Sequence, residues 1–86
     1  MAQAKYITGE AYTEYGTIAT AICFGEVIGH ADVARLFKEV WGAGFFYIDE
    51  MGVVTAYGKS VGLGVESRES KDARMIEKAL VLRDEY

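Results

Sequence analysis

Residues 5–27 constrain this chain more than any other stretch. Lys-Tyr-Ile-Thr-Gly-Glu-Ala-Tyr-Thr at 5–13 is rich in aromatic and β-branched types, which suit a pleated, half-buried surface. Thr17 to Val27 continues in the same composition, and Glu14-Tyr15-Gly16-Thr17 between them reads as a turn. Two strands joined so tightly can only pair antiparallel, since a parallel pair needs a long crossover. In the second strand Ile18, Thr20, Ile22 and Phe24 share one face, while Ala19, Ala21 and Cys23 share the other. The small-residue face predicts close packing by another element.

The rest of the chain alternates between helical and strand patterns. Val33, Leu36, Phe37, Val40 and Trp41 fall at helical spacing and predict a helix over 31–41, with Arg35, Lys38 and Glu39 on its other side. His30 or Asp32 is expected to cap its start, and Gly42 or Gly44 to end it. Phe45–Asp49 and Val53–Tyr57 read as a hairpin, with Asp49 opening the turn and Gly52 where φ is positive. After Gly58, Val61, Leu63 and Val65 alternate with Ser60, Gly62 and Gly64, a strand whose bare face expects a close backbone or ligand. A last helix starts at Ser67 or Ser70, with Asp72 near its positive end. Its stripe is Ala73, Ile76, Ala79, Leu80 and Arg83, widened by Met75 and Leu82. The order β-β-α-β-β-β-α predicts an α+β fold: one domain over 1–86, with an antiparallel sheet of four to five strands and both helices on one face.

Composition narrows the function classes. At 86 residues the chain buries only roughly 60% of its unfolded surface, and a single cysteine, Cys23, excludes a disulfide and any CxxC site. A homodimer formed through the edge strand of the first hairpin would relieve that marginal stability. The apolar run from Ile18 to Ile28 is too short to span a membrane and contains Glu26, and no apolar leader precedes it, so a cytoplasmic setting without membrane contact is expected. The net charge of −4 argues against direct nucleic-acid binding, which needs clustered Lys and Arg.

No chemistry-bearing constellation stands out. Tyr57-Gly58-Lys59-Ser60 ends like a phosphate-binding loop, but Val53 stands where that loop needs its first glycine. Gly62-Leu63-Gly64 lacks the third glycine of a dinucleotide fingerprint, because position 67 is serine. His30 is the one histidine, so no metal site, no cofactor and no catalytic triad are expected, and Asp49 and Glu50 read as solvated turn carboxylates. A small-ligand module on the Gly62/Gly64 face, or a homo-oligomeric structural component, are the alternatives to a binding role.

The feature that asks for a partner is the first hairpin. Residues 6–34 contain no Lys or Arg but hold Glu10, Glu14, Glu26 and Asp32. Tyr12 and Tyr15 stand among them, and tyrosine is enriched at interfaces because it buries a large ring while keeping a polar tip wet. The expected function is a non-enzymatic, acidic protein-binding or inhibitor module whose partner has a basic surface. Glu10, Tyr12, Glu14, Tyr15 and Glu26 are its expected binding residues. Carboxylates can imitate phosphates against a site that normally holds nucleic acid. A phage-type inhibitor of such a host complex, of the anti-CRISPR kind, would have this character.

Overall fold

The computed structural model describes residues 4–84, with side chains through residue 80. Its main sheet holds β1 (Ala4–Thr13), β2 (Gly16–Gly25), β3 (Phe37–Ile48) and β4 (Val54–Tyr57), in the order β2-β1-β3-β4. Every pairing is antiparallel. A one-turn helix, α1 (His30–Ala34), joins β2 to β3. Beyond β4 come the short pair β5 (Lys59–Ser60) and β6 (Val65–Glu66), then α2 (Ser70–Asp84). The α+β class, the antiparallel sheet and the order of elements are those read from the sequence.

Neighbouring residues of β1 show how the layers are built. Tyr6 and Ile7 are both fully buried, and successive strand residues point to opposite faces, so the sheet is covered on both sides. On the Tyr6 face α2 seats Ala73 and Ile76 against Ala21, Phe46, Val54 and Ala56. On the Ile7 face α1 seats Val33 against Ile7, Ala11, Phe37 and Ala43. The expectation of both helices on one face is therefore corrected: α1 and α2 lie on opposite faces. The small-residue face of β2 does receive a close neighbour, since Ala21 and Cys23 lie under α2. Ala79, Leu80 and Met75 pack there as the stripe predicts, whereas the side chains of Leu82 and Arg83 fall outside the described residues.

The helix expected over 31–41 is the largest correction. It stops at Ala34, and Phe37 begins a twelve-residue strand. The reason is visible in the register. Thr8 pairs with Gly42 but Gly9 with Val40, which leaves Trp41 as an extra residue; Glu10 pairs with Glu39 but Ala11 with Phe37, which leaves Lys38 as another. Each such bulge shifts the alternation of side chains by one. Phe37, Val40 and Ala43 consequently share the Ile7 face at intervals of three, a spacing that mimics one side of a helix. Neither His30 nor Asp32 caps α1, whose N-cap is Gly29 without a side-chain bond, and Gly42 and Gly44 lie within β3.

The strand expected from Ser60 to Val65 is also corrected. Residues 61–64 turn, and a Cβ on Gly62 or Gly64 would meet nothing within 4 Å. Gly64 is needed for its left-handed φ of 68°, not for a close approach. At Phe45–Ile48 and Val54–Tyr57 the predicted hairpin is present, and Asp49 Oδ1 accepts the amides of Met51 and Val53 across its turn.

The bulged-strand geometry and a helical reading give different outcomes for two adjacent residues. Phe37 is buried and Leu36 is 53% exposed. Phe37→Ala is expected to cost about 3–5 kcal/mol in chemical denaturation, and Leu36→Ala about 0.5 kcal/mol or less. Equal losses would restore the helix.

Candidate functional site

The polar groups most closely assembled in this fold surround Asp72, in the first turn of α2, where a carboxylate suits the helix dipole. Its Oδ2 accepts the Tyr6 hydroxyl at 2.6 Å and the Arg68 amide at 2.8 Å. Its Oδ1 accepts the Thr8 hydroxyl and Arg68 Nε, both at 2.8 Å. Tyr6 shares a second hydrogen bond with Ser67 Oγ at 2.7 Å. The Arg68 guanidinium continues over the Trp41 ring, 5.5 Å from its centroid. Burial, and then the Asp72 carboxylate it donates to, push the Tyr6 phenol above its usual value, so it remains a donor through the neutral range.

A hydroxyl, a carboxylate and an arginine together resemble catalytic machinery, but the carboxylate at the centre of the set is sealed, and only Arg68 reaches the surface. Tyr6, Thr8 and Asp72 have no exposed surface, so no substrate atom can reach the carboxylate. Its work is structural. Gly42 is bare because a Cβ there would overlap the Asp72 carboxylate. Sequence reasoning missed this network, since Tyr6 and Asp72 are 66 residues apart and neither belongs to a motif.

The other chemistry-bearing residues are likewise occupied. His30 is buried between the rings of Phe24 and Phe45, with Nε2 at 3.0 Å from the Gly44 carbonyl. No cluster of three or more His, Cys, Asp or Glu that could hold a metal occurs among the described residues. Lys59-Ser60 lies in β5, so no helix opens after it to receive a phosphate. An open groove of about 710 Å³ runs past Trp41, Lys59, Ser60, Ser67 and Arg68. Its arginine is already committed to Asp72. No helix among the described residues is long and apolar enough to cross a membrane.

Four of the five residues expected to bind a partner come together at the tip of the β1–β2 hairpin. Tyr12 is 61% exposed and Tyr15 is 95% exposed. Glu14 lies in the exposed turn between the strands. Glu10 is half-buried two residues behind Tyr12 on the same face, and its Oε2 accepts the Thr17 hydroxyl at 2.9 Å. The register adds Glu39, opposite Glu10 on β3, with Lys38 in the adjacent bulge offsetting part of the charge. Glu26 is not in this group. It follows Gly25, which pairs with Ala4 at the far end of the hairpin, roughly 30 Å away along a ten-residue strand.

A second feature of the hairpin is its outer edge. The Tyr12 amide donates to the Leu36 carbonyl on the β3 side, so the odd-numbered residues of β1 turn their backbone groups toward β2. Their partners are the even-numbered residues of β2, which leaves the amides of Thr17, Ala19 and Ala21 facing outward. No described strand pairs with that side.

Comparison with protein-family models, with curated proteins and with solved structures finds no match to this chain, so its functional reading rests on its own residues.

Two measurements check the sealed network. Tyr6→Phe leaves Asp72 one donor short and is expected to cost about 1–3 kcal/mol in denaturant unfolding. Because folding raises the Tyr6 pKa, the stability linked to it is complete below the unfolded value of about 10 and falls as pH rises past that point. The parent chain should lose stability above about pH 10, and Tyr6→Phe should lose less over the same range. Matching slopes would contradict this role for Tyr6.

Proposed function

We propose that this chain is a non-enzymatic protein-binding module that covers a basic surface on another protein with the tip of its β1–β2 hairpin. The observation that carries the reading is the pair Tyr12 and Tyr15, two large rings held in solvent beside Glu10, Glu14 and Glu39. Tyrosine has only two side-chain torsions to fix on binding, and such aromatics dominate interface energies. The surrounding carboxylates speed encounter with a basic site and select against acidic ones.

The partner class that fits is a protein whose basic site ordinarily holds nucleic acid, because carboxylates at strand spacing can stand in for phosphates. A small inhibitor of a host nucleic-acid-binding complex, of the phage anti-CRISPR kind, is the form this function takes in our reading. The carboxylate–hydroxyl network plays no part in this binding, since it is spent on holding α2 in place.

The test begins with affinity purification of the partner from the native host, followed by binding kinetics with purified components. Tyr12→Ala is expected to weaken binding by about 2 kcal/mol, mainly through faster dissociation. Glu14→Lys should chiefly slow association, and added salt should reduce that difference between parent and variant. Parent-like kinetics for both variants, with binding lost on substitution of exposed α2 residues, would place the interface elsewhere.

A further inference from the structure

We propose that the outer edge of β2 takes up an extended segment of the partner protein as a fifth strand of the main sheet, and that this segment is uncharged along its length with Lys or Arg at both ends. The inference rests on the protein-binding reading above and specifies how the partner is held.

The edge is built to pair. β2 is a terminal strand of ten residues, matched to β1 over ten consecutive positions without a register shift. Its outward amides at Thr17, Ala19 and Ala21 stand at every second residue, the repeat an added antiparallel or parallel strand requires. The Ala21 carbonyl accepts the neighbouring Thr20 hydroxyl at 3.3 Å. Proteins that keep such an edge unpaired protect it with charge, proline, bulges or brevity. From Gly16 to Gly25 there is no Lys, Arg, Asp, Glu or Pro. The opposite edge strand, β4, has four residues. The bulges of this sheet fall in β3, which is interior, and none falls in β2.

Charge chooses the occupant. Glu14 lies just before the strand and Glu26 just after it, so the separation that removes Glu26 from the hairpin tip places an acid at each end of the edge. A strand added in either direction meets a carboxylate at both of its ends. A segment with basic flanks is attracted whichever way it runs. A second copy of β2 is not: antiparallel pairing sets Glu14 beside Glu26, and parallel pairing sets each glutamate beside its equivalent. The uncharged middle, with Ile18, Thr20, Ile22 and Phe24 on one face, matches a partner strand of β-branched and small residues.

The test uses the full chain, labelled for amide NMR, and two synthetic peptides that share an alternating valine–threonine core. One peptide carries lysines at both ends and the other glutamates. The lysine-flanked peptide is expected to bind about tenfold more tightly, to shift the amides of Thr17, Ala19 and Ala21, and to weaken with salt. Ala19→Pro removes an outward amide while leaving the inward bonds to β1, and should weaken the peptide about tenfold. Should that variant fail to fold, the double reversal Glu14→Lys with Glu26→Lys leaves the strand itself unaltered. It should invert the preference between the peptides.

Equal binding of the two peptides, or shifts confined to other elements, would overturn the proposal. So would a dimer by light scattering whose β2 amides are already protected, which would give the edge to a second copy. Failure of the peptide while Tyr12→Ala still weakens the purified partner removes strand addition and leaves the hairpin-tip reading standing. Peptide binding at β2 with a partner indifferent to Tyr12→Ala does the reverse.

Discussion

The fully buried carboxylate of Asp72 is the interaction around which the other parts of this fold are arranged. Removing a charge from water costs several kcal/mol even after relaxation, so such a group persists only where donors surround it. Here four donors do so, from β1, from the loop before α2 and from the arginine of that loop. The arrangement dictates sequence far from Asp72 itself. Tyr6 and Thr8 must alternate on one face of β1, and Gly42 must be bare beneath the carboxylate. Glu69 adopts a left-handed φ of 52°, and the Ser67 hydroxyl accepts its amide at 3.0 Å, which helps offset the strain of that bend.

Because this network joins the end of the chain to its beginning, α2 is fixed over β1 and the small residues of β2. The hairpin is thereby held rigidly along its inner side and left open along its outer one. That asymmetry connects the packing to the function we propose. A tip carrying Tyr12 and Tyr15 is useful for recognition only if the strands behind it do not move, and their inner faces are locked by Tyr6, Ile7 and Thr8, none of which has exposed surface.

Much of this was legible in the residues, and the failures have physical causes. The two hairpins announced themselves through β-branched runs and turn residues, and α2 through its spacing and its Ser70 start. Residues 37–41 misled because two bulges gave a strand the three-residue spacing of a helix, and a bulge depends on the partner strand, which a local pattern does not contain. Gly62 and Gly64 misled because alternating glycines suit a tight turn as well as a packed strand. At the candidate site, the exposure of Tyr12 and Tyr15 followed from their place beside a turn. The distance to Glu26 followed from strand length, once the turn was fixed. That β2 rather than β1 is the edge strand of the first hairpin could not be read locally, since it depends on β1 choosing β3 as its second neighbour. The Asp72 network was invisible for the same reason: its partners meet only across nearly the whole chain.

Native-state hydrogen exchange of the unliganded chain tests most directly the claim that the hairpin is locked inside and open outside. The amides of Ile7 and Thr8 should exchange only through global unfolding, whereas those of Thr17, Ala19 and Ala21 should exchange through small local fluctuations, alternating with protected neighbours along β2. Uniform protection along β2, equal to that of β1, would contradict the account, because it would mean that the outer edge is already paired.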